Sequence, residues 1–461
     1  MGGQGATTEV VERINNRYLE VLPDAIERLT WPLEHVHQVR DERLRELLTH
    51  ARERSPWHRG RLRGVDIDSV TGDDLAAIPT MTKSDLMASW DSISCNPSLT
   101  LAAAQACLDR VATSGLIEFI AGDVLVVATG GSTGRRGVIA LDPDGVVEWS
   151  VGNIRHGRWL RDQGQIPPPP GPVSVQGRLT AVNPTHVSGA VAQIFQGTAF
   201  EPHTFPPTMP VADAVAGLNE LQPDQLFGYA SMLHRMAHEA KAGRLTIAPR
   251  AVGQAGEALL PEIRASVGDA FGVPVGNIYG ASESFIAQSN GVDPWLHLSE
   301  DLAVFEVVDD DNHPVEPGQR GTKLLVTNVV NKVMPLIRYE ITDELTLLSG
   351  PNPGPWTGRR IADPEGRRDD WFDYGGAFVH PQAFRSPLSQ VPISEYQVQQ
   401  TPRGAEVAIV VAGPVDLDEL CASIASNLAS AGLDQPDLRI RSVDAIERHS
   451  ATAKLRRFIP L

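Results

Sequence analysis

At 461 residues the chain exceeds what one hydrophobic core usually supports, so two or three domains are expected. Its 42% hydrophobic and 21% charged residues are those of ordinary globular material, and a net charge of −17 speaks against a nucleic-acid binder, which needs surplus Lys and Arg. Cys95, Cys107 and Cys421 form no CxxC pair, no apolar run approaches a membrane span, and no signal-peptide pattern opens the chain, so a cytoplasmic protein without a membrane partner is expected. In chain order, Leu44, Leu47, Leu48 and Ala51 repeat at the i, i+3, i+4, i+7 spacing of an amphipathic helix. Pro and Gly punctuate the text from Ser55 to Thr82, and the stretch from Ile78 to Leu86 starts another helix. Val124-Leu125-Val126-Val127-Ala128 is a short β-rich run feeding a Gly-rich loop, and residues 167–172, rich in Pro, predict a surface connection.

Further along, Val211, Val215, Leu218 and Leu221 mark one helix, and Leu233, Met236 and Ala240 mark another between Ser231 and Gly243. Pro261 opens a third, with Ile263, Val267 and Phe271 on its buried side. Val275 to Tyr279 reads as a strand ending in a tight turn. Strands separated by helices imply βαβ units and a parallel sheet. Ligands bind beyond the C-terminal ends of such strands, and both the Gly-rich loop and the Tyr279 turn are expected there. After Asp370 the pattern changes to a strand over 407–411, a helix carrying Leu417, Leu420, Ile424 and Leu428, and a strand over 438–443. The fold class is therefore α/β, with a large domain over 1–368 and a small α+β domain over 369–461.

Four separated segments carry chemistry. The first is Thr129-Gly130-Gly131-Ser132-Thr133-Gly134-Arg135-Arg136-Gly137, in which glycines let backbone N–H groups turn toward an anion while Ser132, Thr133 and Arg135 add donors. It is neither a Walker A motif nor a dinucleotide fingerprint. The second, Tyr279-Gly280-Ala281-Ser282-Glu283, offers a ring to stack on a base, a hydroxyl donor and a hard carboxylate for Mg²⁺. The third, Arg338-Tyr339-Glu340-Ile341-Thr342-Asp343, ends in a carboxylate able to accept two ribose hydroxyls; a plain Arg338–Asp343 ion pair is the alternative. The fourth, Gly366-Arg367-Arg368-Asp369-Asp370, sits at the change of composition, where a charged pair is commonly just solvated surface. Lys454 follows in a basic stretch that by itself reads as a solvated tail.

In this order and at these distances the segments resemble the adenylate-forming superfamily, and the runs Arg43 to Arg59, Ile78 to Leu86 and Leu296 to Tyr339 resemble its phenylacetate–CoA ligase-like branch. The resemblance implies that residues 129–135 hold phosphates, and that Gly256 and Glu257 (in Gly253-Gln254-Ala255-Gly256-Glu257) lie beside adenine with Tyr279, Gly280 and Ala281. It makes Ser282 an α-phosphate donor, Glu283 the Mg²⁺ ligand, Asp343 a ribose ligand and Arg367 a ribose or phosphate contact. Asp369 becomes the hinge of a mobile small domain, and Lys454 the residue that enters the site during adenylation. His186, Gly228 and Tyr229 are candidates for the acid pocket, with the small, apolar run 190–195 as a further wall. This sequence departs from the family in placing Thr342 and Ala453 where Gly is usual, and in lacking a Cys-x-Cys-Gly after Asp343, so no structural metal is expected there.

The reading that results is an AMP-forming acid–thiol ligase. A carboxylic acid and ATP, with Mg²⁺, give an acyl-adenylate and pyrophosphate, and CoA then captures the acyl group. Transfer to an amine or a carrier protein, or nucleotide binding without turnover, remain open alternatives, and a homodimer is compatible with the sequence.

Overall fold

The structure, a computed structural model, describes residues 2–129, 136–181, 183–289, 294–364, 370–449 and 453–461. Its large domain is built on a twisted sheet of eight strands among the described residues. Five of them, Phe200–Thr204, Ser174–Leu179, Gln225–Gly228, Ala251–Ala255 and Val275–Gly280, are neighbours in that order and pair in parallel. The remaining three, Phe285–Ser289, Leu296–Leu298 and Arg360–Ile361, continue the sheet antiparallel. Helices Val211–Leu221, Ala230–Lys241 and Pro261–Phe271 lie between parallel strands in the chain and bury Leu218, Met236 and Val267 against one face. These are the βαβ units expected from the alternation.

Helix formation follows local rules where the text is clear. Leu44, Leu47, Leu48 and Ala51 are fully buried on helix Leu33–Arg54. The stretch beginning at Ile78 yields helix Lys83–Ala88, started by a capping box in which Thr82 Oγ1 accepts from Asp85 N and Asp85 accepts from Thr82 N. Pro261 occupies the first turn of its helix, and Gly272 ends it at φ +68°. No described helix is long and apolar enough to cross a membrane.

One expectation needs correction. The strand Val124–Ala128 does not join the parallel sheet. It is the centre of a separate antiparallel sheet, between Phe119–Ile120 and Val138–Leu141. The Gly-rich segment therefore links two antiparallel neighbours and does not follow a strand of the parallel sheet.

A polar seam ties the N-terminal helices to the body. Asp301 receives both guanidinium nitrogens of Arg155 at 2.7 Å and Arg28 at 3.2 Å, while Glu148 receives Arg28 at 3.3 Å and Arg43 at 3.4 Å. Burial alone would raise the Asp301 carboxyl, but Arg155 and Arg28 hold it well below the usual carboxylate range.

The small domain has its own core. Among the described residues a four-stranded sheet in the order Asp437–Ser442, Gly404–Val411, Ile393–Thr401, Phe458–Ile459 carries helices Gln382–Leu388 and Leu417–Ser430, with Phe384, Val398, Ile409, Leu420, Ile424 and Leu428 packed between them. The molecule is thus a large α/β domain followed by a smaller α+β domain.

Candidate active site

The C-terminal ends of the parallel strands open into a cleft of about 660 Å³, which the small domain covers with Arg385, Tyr396, Lys454 and Phe458. Thr180, Tyr229, Gly256 and Gly280, each at or just past a strand end, line its floor.

One corner is made by the second and third motifs. The Tyr279 hydroxyl donates to Asp343 Oδ2 at 2.6 Å, so ring and carboxylate form a single rigid edge. Trp149 Nε1 donates to the Ala281 carbonyl at 3.0 Å and fixes the turn that presents Ser282 and Glu283. Glu283 is 7% exposed, and its backbone carbonyl accepts from Asn328 Nδ2 at 3.0 Å. Burial first, and the neighbouring Glu283 charge second, push the Tyr339 hydroxyl far above its ordinary range, so it stays protonated beside that carboxylate. Thr342 is not among the residues with positive φ, so replacing the usual Gly costs no backbone strain. The Arg338–Asp343 ion pair does not form. Arg338, at φ +51°, instead binds Glu306 through two nitrogens at 3.1 and 2.9 Å and the Ile78 carbonyl at 2.7 Å, which makes it a strut.

A second corner lies at the base of the Gly-rich segment. Thr129 N donates to the Gly137 carbonyl and Gly137 N to Thr129 Oγ1, both at 2.9 Å, so the two ends of the segment are clasped. His186 lines the cleft beside it, with Nδ1 bonded to the Ala128 carbonyl at 2.9 Å. Lys83, which the sequence reading passed over, also lines the cleft here; its first-turn position on a short capped helix was the available signal. Gly130, Gly131, Ser132, Thr133, Gly134 and Arg135 lie outside the described residues, as do Arg367 and Asp369.

The acid-pocket candidates divide. Tyr229 lines the cleft, its hydroxyl accepting from Ala181 N at 3.3 Å and pushed up to about 12 by burial. Gly228 does not line it: a Cβ there would meet Leu179 Cβ at 2.7 Å, so this glycine serves strand–strand packing. The run 190–195 is likewise no wall, since Ala190, Val191, Ile194 and Phe195 point into the core and the start of that helix, with His186, Val187 and Ser188, faces the cleft.

Lys454 reaches into this site from the small domain. Its ammonium is 5.8 Å from the centre of the Tyr229 ring, and a Cβ on Gly256 would stand 3.0 Å from both Lys454 Cε and Nζ. Gly256 is at φ +84°, so only glycine gives the lysine this seat without strain. The loop before Lys454 is tied across its base, Ala453 N to the His449 carbonyl at 2.8 Å and His449 N to the Lys454 carbonyl at 3.0 Å. Ala453 is at φ +52°, the left-handed region that explains why glycine is usual there. Burial, with Arg136, Arg456 and Lys454 nearby, lowers the His449 pKa below its ordinary range. Glu257, expected beside adenine, lines the cleft with its side chain only 3% exposed, and is engaged by Ser231, Leu455 and Arg448.

No family model matches the chain. Its structure is similar to 2-hydroxyisobutyryl-CoA ligase in the postadenylation state in complex with R3-HIB-AMP, with a TM-score of 0.70 and 19% identity over 94% of this chain and 91% of that one. The chain has the adenylate-forming fold. Against the same ligase in the thioesterification state, with 2-HIB-AMP and CoA, the TM-score is 0.57 at 20% identity. ATP-bound MatB from Rhodopseudomonas palustris is similar over 71% of this chain and 65% of that one, with a TM-score of 0.51 and 17% identity. In sequence, Protein CapK of Staphylococcus aureus is 30% identical over 132 residues, a match spanning 28% of this chain and 28% of that protein.

Proposed function

We propose that this protein is an AMP-forming acid–thiol ligase of the phenylacetate–CoA ligase-like branch, which activates a carboxylic acid with ATP and passes the acyl group to CoA. The observation that carries the reading is the seat of Lys454: a lysine from the small domain touches Gly256 in the cleft that Tyr279, Glu283 and Asp343 also line. Nothing in local sequence requires those four to meet. The CoA acceptor rests on what the similar solved structures contain, an acyl-adenylate with CoA among them.

The physical problem is that a carboxylate must approach an anionic triphosphate. Lys83, Arg385, Arg456, Arg457 and Lys454 line the cleft together with Glu257, Glu283, Glu340, Asp343 and Asp370, so its charges balance in a chain whose net charge is −17, and the five cations are the groups available to anionic ligands. In the proposed reaction a carboxylate oxygen of the acid attacks the α-phosphorus and the bond to the bridging oxygen of pyrophosphate breaks. Lys454 draws off the negative charge that builds on the reacting phosphate. Ser282 donates to the same group, Tyr279 and Asp343 hold the base and ribose, and Thr129 anchors the phosphate-binding segment. Arg367 would add a ribose or phosphate contact.

The donor set suits Mg²⁺. That ion takes one or two carboxylates and completes its shell with phosphate oxygens and water, and Glu283 is a buried hard-oxygen donor on the turn that carries Ser282. Bound there, Mg²⁺ would supply neutralisation of phosphate charge. We take the domain boundary to lie between 368 and 369, with Asp369 as the hinge. The acid is proposed to sit among Val187, Phe227, Tyr229 and Ile278, an apolar wall that suits a hydrophobic acid with one charge.

The test is acid-dependent ATP–pyrophosphate exchange across aryl, aliphatic and amino acids, followed by addition of CoA. Exchange with a hydrophobic acid and thioester formation are expected. ATP binding without acid-dependent exchange for any acid would overturn the proposal, and adenylate consumption by an amine but not by CoA would overturn the acceptor.

A further inference from the structure

A buried ionic cluster lies behind the lysine and bridges the two domains. From the large domain come Ser231 and Arg235, on helix Ala230–Lys241, and Glu257; from the small domain come Arg448 and Glu395. Glu257 Oε2 accepts from Ser231 N at 2.9 Å, at the start of that helix, and Oε1 accepts from Ser231 Oγ at 3.2 Å. The same Oε1 accepts the backbone N–H of Leu455 at 2.8 Å. Arg448 donates to Ser231 Oγ at 2.9 Å, stands 3.8 Å from Glu257 and is bonded to Glu395, while Arg235 approaches Glu395 at 3.9 Å. The side chains of Arg448, Glu257 and Glu395 are 5%, 3% and 1% exposed.

We infer that Glu257 is a positioning residue for Lys454, and that with Arg448 it forms the latch holding the small domain in the adenylating arrangement. The inference rests on the reading of Lys454 given above. Two consecutive residues of the large domain act on one lysine: Gly256 meets the tip of its side chain, and Glu257 holds the N–H of the next residue. A lysine has a long flexible stem, so fixing its backbone and its tip together removes most of its freedom before any ligand arrives. The carboxylate is needed because Glu257 must accept from three donors at once: Ser231 N, Ser231 Oγ and Leu455 N.

The charges are arranged so that the latch can open. When the domains part, Arg448 keeps Glu395 within the small domain, and Glu257 keeps the Ser231 N–H and hydroxyl within the large one. Neither half is left as a buried charge with nothing to hold it, which is the costly outcome when a buried pair is broken by removing one member.

Glu257→Gln puts an amide NH₂ where one of these donors must be accepted, and should lower ATP–pyrophosphate exchange by about 10²-fold through displacement of the lysine. Thioester formation from supplied acyl-adenylate should fall far less than the exchange does. Without any substrate, deuterium uptake by the amides of residues 453–461 should rise about tenfold, as expected when a buried hydrogen bond is lost. Ser231→Ala, a milder change that removes the hydroxyl shared by Arg448 and Glu257, should move each readout the same way and serves if the first variant folds poorly. Unchanged uptake in 453–461, wild-type exchange, or equal loss in both half-reactions would each overturn the assignment. If the wild-type chain shows no acid-dependent exchange, the proposed function fails, and deuterium uptake still decides whether Glu257 holds the lysine loop.

Discussion

Replacing Gly256 by alanine isolates the lysine's seat from the rest of the site. The new methyl would stand 3.0 Å from Lys454 Cε and Nζ and 3.3 Å from Tyr229 Cε1. Carbon contacts settle at about 3.5–4.0 Å, so the ammonium must withdraw by about 0.5–1 Å. The lysine tip is the compliant partner and the Tyr229 ring the stiff one, because that ring is buried and hydrogen-bonded. Alanine also has to adopt φ +84°, which costs about 1–2 kcal/mol. Against a net stability of about 5–15 kcal/mol that loss leaves the protein folded, but the substitution moves a group whose placement counts: a misplacement of about 1 Å costs about 10²-fold in rate. Acid-dependent ATP–pyrophosphate exchange should therefore fall by about two orders of magnitude, while the urea midpoint shifts only slightly. Exchange at the wild-type rate in a folded Gly256→Ala protein would mean that the lysine contact has no part in adenylation.

Three other outcomes are expected. Glu283→Gln should raise the Mg²⁺ needed for half-maximal activity and lower the maximal rate, because a neutral amide holds a hard cation poorly; a wild-type Mg²⁺ titration would remove Glu283 from the role. Ala453→Gly relieves a left-handed alanine and should raise stability by about 0.5–1 kcal/mol in a urea titration. Burial raises the Glu300 pKa, but His37 and Arg359 outweigh it and bring it from an ordinary 4.5 to about 2. A depressed carboxylate stabilises the fold above its unfolded pKa and loses that contribution as pH falls through the folded one, so stability on the order of 3 kcal/mol should disappear between about pH 4.5 and 2. Denaturation curves at stepped pH that run flat across this window would contradict it.

The elements with plain local signals were legible in the sequence. Helix Val211–Leu221 has the limits its apolar spacing predicts, and Pro261 opens helix Pro261–Phe271 as read. Long-range pairing was less legible: nothing near residues 124–128 says that their partner is Val138–Leu141 and not the parallel sheet. The motif segments announced Tyr279, Glu283 and Asp343, and the structure brings them to one cleft with Lys454. It could not be read that Gly228 packs on Leu179, or that Arg338 chooses Glu306, because both contacts join segments far apart in the chain. Arg448 and Glu395 have no motif, and only the folded arrangement puts them beside Glu257.

The seam joining Arg28, Glu148, Arg155 and Asp301 has a thermal character opposite to that of the apolar clusters around it. Hydration of charged groups becomes less favourable on heating, so the cost of keeping these ions dry shrinks while apolar burial gains little more. The junction between the N-terminal helices and the sheet is therefore relatively firmer warm than cold. Asp301→Asn should accordingly advance thermal unfolding of that junction more than it weakens the cold protein, and added salt should reproduce little of the effect because buried pairs are poorly screened.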